Sequence, residues 1–201
     1  MPYRENREYR SIELRAIQTE DEEKSYKVSG YATTFDSPYV MYEDEEGNKY
    51  KEVISSKAFD QANMSDIIFL YNHEGMVYAR QKNGTLVVEN DEHGMKVTAD
   101  LGSTKQSREM FEAIESGLID QMSWAFTVDA DEYDKKTRTR TITKVRKVYD
   151  VSAVSIPAND QTNIGVVSRD YFSGVAEMEK AERLEREKMK KKIEIKLKLE
   201  D

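Results

Sequence analysis

Tyr26-Lys27-Val28-Ser29-Gly30-Tyr31-Ala32 is the stretch whose reading decides the fold class. Its side chains change character from one residue to the next. That is the two-residue period of a half-buried strand, not the 3.6-residue period of a helix. It breaks at Asp36-Ser37-Pro38, a turn signal. Upstream, Ile12, Leu14 and Ala16 alternate with Glu13, Arg15 and Ile17. Downstream, Tyr39 to Tyr42 and Lys49 to Ile54 flank Glu45-Glu46-Gly47-Asn48, the composition of a hairpin turn. Ile67-Ile68-Phe69-Leu70-Tyr71 is apolar throughout, as expected of a strand covered on both faces. Val77 to Gln81, Thr85 to Glu89 and Met95 to Leu101 are separated by Lys82-Asn83-Gly84 and Asp91-Glu92-His93-Gly94. Both separators read as tight turns with Gly at a position of positive φ. Two more strands are expected over residues 119–128 and 139–156.

Two helices are expected to interrupt this β-rich block. Ser55 or Ser56 can cap a short one carrying Ala58, Phe59 and Ala62. Ser103-Thr104-Lys105-Gln106 reads as a capping box before Met110, Phe111 and Ile114, with Gly117 as the stop. Short strands with two inserted helices predict a β-rich α+β fold, with a closed or partly closed β-barrel flanked by helices. Residues 1–10 read as a flexible arm, 11–168 as the globular domain and 169–201 as a charged, helical tail, either an attachment handle or a removable linker. In that tail Met178, Ala181, Leu184 and Met189 form a thin helical stripe. Ile193, Ile195, Leu197 and Leu199 then alternate with charged residues at a strand period.

The 201 residues carry 31 Lys and Arg against 39 Asp and Glu, a net charge of −8, and the mean hydropathy is −0.80. An acidic balance argues against a general nucleic-acid binder, which must neutralise phosphates. No stretch approaches the roughly 18 apolar residues that read as a membrane span. The opening MPYRENREYR has no apolar core, so no secretory signal is expected. There is no Cys, which removes disulfides and thiolate chemistry and makes the cytosol the expected site of synthesis. With two His and no acidic loop of calcium-ligand spacing, no metal is expected. The glycine-rich phosphate loops and the Gly-x-Ser-x-Gly elbow are missing too, so no cofactor is expected.

What remains is acyl transfer by a serine. His73 ends the most apolar strand, in Leu70-Tyr71-Asn72-His73-Glu74, where an imidazole is well placed to move protons. Ser123 lies in Met122-Ser123-Trp124-Ala125-Phe126, opposite in face to the three large apolar residues. Asp150, in Val148-Tyr149-Asp150-Val151-Ser152, is an acid in an otherwise apolar strand and needs a partner there. Residue type alone leaves other readings open: a rim histidine, a packing serine and an aspartate salt-bridged to Lys or Arg. His93 reads as a solvent-facing turn residue.

Taken together, these segments resemble the prohead maturation proteases of HK97-type tailed bacteriophages. The resemblance rests on Asn72-His73-Glu74, on Gly94 to Leu101, on the Ser123 strand after the helix that stops near Gly117, and on Asp150-Val151-Ser152-Ala153-Val154-Ser155-Ile156-Pro157-Ala158-Asn159. The intervals of 50 and 27 residues between His73, Ser123 and Asp150 are also similar. It covers residues 11–168 and implies a fold like that of the herpesvirus assembly proteases. It implies a serine endopeptidase with Ser123 as nucleophile, His73 as general base and Asp150 orienting it. The implied partners are the major capsid protein precursor, the scaffold and the portal, with self-association left open. The implied places are the host bacterial cytoplasm and then the procapsid interior, and self-cleavage is implied as well. Trp124-Ala125 stand where the family usually has Phe-Gly, and Asp150 where it usually has Glu. Asp150, one methylene shorter, must sit closer to His73 or bridge through water. The alternative reading is an inactive capsid assembly protein of the same fold.

Overall fold

The structure, a computed structural model, describes residues 7–17, 26–155 and 166–200, and the side chains of the last segment over 171–196. The strands are β1 (Glu8–Ile17), β2 (Lys27–Thr34), β3 (Tyr39–Glu43), β4 (Lys49–Ile54), β5 (Ile68–Tyr71), β6 (Glu74–Arg80), β7 (Leu86–Asn90), β8 (Gly94–Asp100), β9 (Gln121–Asp134) and β10 (Thr139–Val154). The helices are α1 (Lys105–Glu115) and α2 (Val166–Glu200). All ten strands join one sheet, with a main path β3-β4-β10-β9-β1-β2-β8-β7.

β9 and β10 form a long antiparallel ribbon with several bulges, and the rest is arranged around it. One edge of β10 is shared by two short parallel strands, β4 against residues 139–142 and β5 against 150–153. Among the described residues the sheet branches there, β3, β6 and β7 each have one strand neighbour, and the sheet does not close into the expected barrel. Closure requires terminal strands to pair with each other, and the branch leaves three ends instead of two.

The main core lies between the sheet and the elements folded over it. Trp124 stacks on Phe126 at 3.8 Å between ring centroids and meets Phe59 at 5.5 Å. Phe59 and Ala58 are buried as expected, yet the segment that carries them is a run of turns, not a helix. Successive turns are closed by N–H bonds from Ala58 to the Ser55 carbonyl and from Ala62 to the Phe59 carbonyl, and the Ala58 carbonyl accepts from the Val145 N–H, so the buried apolar pair is held without a regular helix. α1 forms where expected and buries Met110, Phe111 and Ile114. Its cap is Thr104, whose hydroxyl accepts the Ser107 N–H, so the expected Ser103-to-Gln106 box is shifted by one residue. Gly117, at φ 75°, follows the helix end as read.

Gly94 differs from its reading. Its φ is not positive. A Cβ there would stand 2.0 Å from the Thr33 carbonyl oxygen, so close strand approach, not turn geometry, requires glycine. β1 begins at Glu8, inside the segment read as an arm, and Glu8 and Arg10 are buried. The strand period over 193–199 is overridden as well, because α2 runs as one helix to Glu200. Lys and Glu favour a helix, and Ile193 and Ile195 are exposed instead of facing a sheet. The expected boundary at 168/169 falls inside α2. The helix seats Phe172 in a second core cluster with Met41 and Tyr50.

Candidate active site

The first turn of the site is the two-residue connection of the β5–β6 hairpin. Asn72 and His73 both have positive φ, 49° and 60°, as a tight hairpin turn of this hand requires. The turn is anchored to the end of β10. Asn72 Nδ2 donates to Ser155 Oγ at 3.1 Å, and the Ser155 N–H donates to Asn72 Oδ1 at 3.0 Å. The Asn72 N–H also donates to the Ala153 carbonyl at 2.9 Å. This pinned turn carries His73 over the ribbon.

Beneath it, β9 and β10 set Ser123 opposite Ser152, and Asp150 beside Ala125. Met122, Trp124 and Phe126 enter the main core, as the alternation predicts. His73 Nε2 lies 2.9 Å from Ser123 Oγ, and Nδ1 lies 2.5 Å from Asp150 Oδ1. The three residues read singly from the sequence thus form one hydrogen-bonded chain across segments 50 and 77 residues apart. The shorter Asp150 reaches the imidazole directly. In the tautomer whose Nδ1–H donates to the carboxylate, Nε2 presents its lone pair to the serine hydroxyl.

Further residues in the site escaped the sequence reading. Ser152 Oγ donates to Asp150 Oδ1 at 3.0 Å and stands 3.2 Å from His73 Nδ1. Its position two residues after Asp150 in a strand was the available signal, since such residues share a face. Tyr9 meets the His73 ring edge-on at 4.5 Å. Arg7 Nη1 is 4.0 Å from Asp150 Oδ2, and its guanidinium lies 3.6 Å from the centroid of the Tyr149 ring. Neither was legible, because residues 1–10 lack any period. The His73 side chain is 15% exposed, while Ser123 and Asp150 are 0% and 2% exposed. His93 is exposed on its turn, against Tyr31. No group of three or more metal-ligating side chains occurs among the described residues. Ile156-Pro157-Ala158-Asn159, the end of the last motif, lies outside the described residues.

A serine, an imidazole and a carboxylate in this order on a β scaffold form the arrangement with which hydrolases make a serine nucleophilic. The family model of caudovirus prohead serine proteases matches residues 10–177, and the chain belongs to that family. Membership makes it a serine protease of bacteriophage capsid maturation, associated with procapsid components such as the capsid protein. No curated protein and no solved structure matches the chain, so the expected likeness to herpesvirus assembly proteases gains no support from those comparisons.

Proposed function

We propose that the protein is an endopeptidase that uses Ser123, His73 and Asp150 as a triad. It cuts the scaffold or the scaffolding segment of the major capsid protein, and itself, inside the procapsid. The observation that carries this reading is His73 bridging Ser123 Oγ and Asp150 Oδ1. Ser123 Oγ attacks the scissile carbonyl as Nε2 takes its proton, and the imidazolium then protonates the leaving amine. Asp150 holds the Nδ1–H tautomer and stabilises the cation, helped by the Ser152 hydroxyl. The same contacts speak against the inactive-scaffold alternative, because a chain freed from catalysis has no need to keep all three groups in line.

Ser123 is fully buried against His73, so the resting enzyme should be slow until the structure around Ser123 opens. Latency of this kind suits a protease required only once enclosed with its substrate. The charged tail, residues 169–201, attaches the enzyme to assembly partners or is removed by self-cleavage, and α2 is exposed from Leu184 to Ile195. The test is co-expression with the capsid protein precursor. Ser123→Ala and His73→Ala are each expected to abolish cleavage while keeping the wild-type circular dichroism spectrum. Cleavage at the wild-type rate in either variant would defeat the assignment.

A further inference from the structure

We propose that Gly75–Tyr78 form a docking edge on which an extended segment of the polypeptide substrate adds as a further strand, beside His73. The proposal rests on the site assigned above. In the β5–β6 hairpin Tyr71 pairs with Glu74, Phe69 with Ala79 and Ile68 with Arg80. Leu70 alone therefore spans the interval that Gly75, Met76, Val77 and Tyr78 span on the other strand, and these four bow out of the ladder. Gly75, at φ 74°, begins the departure. Among the described residues β6 has no strand neighbour except β5.

Met76 and Val77 are 43% and 41% exposed. Successive strand residues point to opposite faces, so apolar surface is presented on both. Edge strands are ordinarily guarded by a charge, a proline or a covering element. Between Glu74 and Arg80 the sequence is Gly-Met-Val-Tyr-Ala, with none of the side-chain guards. Tyr78 is half-buried against the core, so the exposed part of the edge is Gly75–Val77, and an edge without such side-chain guards is what strand addition uses: backbone groups supply affinity, and alternate side chains supply selectivity.

The occupant follows from position. Gly75 is two residues from His73, and an extended chain advances roughly 3.3 Å per residue. A segment paired here would set residues a few positions from its scissile bond along β6 and still deliver the bond to Ser123. The ligand class is an extended polypeptide with apolar side chains against Met76 and Val77. A second copy of this chain is the competing occupant.

The experiment uses the full chain carrying Ser123→Ala and the purified capsid protein precursor. Amide hydrogen exchange at residues 75–78 should slow at least tenfold when the precursor is added. Adding Val77→Lys to that chain should weaken precursor binding at least tenfold, and Met76→Lys should act likewise if Val77→Lys disturbs the circular dichroism spectrum. Unchanged exchange at 75–78, or binding within twofold of the parent, would overturn the proposal. Protection that grows with protein concentration without precursor would assign the edge to a second copy and overturn it too. These readouts need no turnover, so a wild-type chain that fails to cleave would sink the proposed function while the docking edge is still decided.

Discussion

Two buried polar clusters share strand β10 and have opposite characters. One is the chain from Ser123 through His73 to Asp150. The other joins Glu8 and Arg10 of β1 to Glu52 of β4 and Arg140 of β10. Arg10 Nε and Nη2 donate to the two Glu52 oxygens at 2.5 and 2.6 Å, and Arg140 Nη1 and Nη2 donate to Glu8 at 2.8 and 2.9 Å. Glu8 and Arg10 alternate along β1 with Tyr9, which touches His73, so adjacent residues serve different clusters. The ionic cluster is covered further by Tyr171 of α2, whose ring lies 4.5 Å from the Arg140 guanidinium. Arg140 Nε also donates to Asp131 Oδ2 at 2.5 Å, so the two arginines meet three carboxylates, and each of these charges has a partner at hydrogen-bond distance. The site has one acid and one exposed imidazole edge, and it terminates on a hydroxyl. A buried polar group that is fully matched locks strands together, whereas one left with reach toward solvent can exchange a proton.

That contrast can be broken from either side. The largest effect should come from Asp150→Asn, which leaves the imidazole without its orienting anion. Precursor cleavage should fall by roughly 10⁴-fold, with little change in Tm. In the ionic cluster Glu52→Ala should do the reverse, costing about 3–5 kcal/mol in denaturant unfolding because Arg10 is left buried without its main partner. If Glu52→Ala lowers activity without loss of stability, the division of labour is wrong.

Acid should separate the clusters next. Burial pushes the Glu8 carboxyl up, but Arg10 and Arg140 outweigh it and hold it at about 2 against an ordinary 4.5. A depressed carboxylate contributes stability above its unfolded value, so this contribution is intact above about pH 4.5 and is lost as pH falls toward 2. The loss should be on the order of 3 kcal/mol, measured as the drop in unfolding free energy across that window relative to Glu8→Gln. A parallel pH dependence in the two proteins would remove Glu8 as the source. The smallest effect is expected from Ser152→Ala. It deletes one hydrogen bond to Asp150 and should slow cleavage about tenfold, with a shifted pH–rate profile as the sign of a positioning role.

The candidate residues were legible, as a histidine ending an apolar run, a serine amid large apolar residues and an acid inside a strand, but local context left other readings open and only the family resemblance grouped the three. The ionic cluster was not. Its pairs join residues 42, 88 and 132 positions apart, and nothing near Arg10 distinguishes it from a solvated arginine in a charged arm. The tail forms the helix expected of it, and only the strand period near its end failed. Ile193 and Ile195 carry a clear strand period, but no sheet edge receives them, and helix formers on both sides prevail.

By itself, then, the amino-acid sequence determined what short-range periodicity can encode: most strands, α1 with its stop, and a short list of candidate side chains for acyl transfer. Tertiary structure decided what depends on residues meeting across the chain. It branched the sheet at β10 instead of closing it, since one edge can accept two short strands as readily as one long one. It turned buried apolar residues near Phe59 into a plug without a helix, and it brought an imidazole to a hydroxyl at 2.9 Å. Periodicity is local and survives in a single strand, whereas closure, ion pairing and catalytic distance are properties of the packed whole.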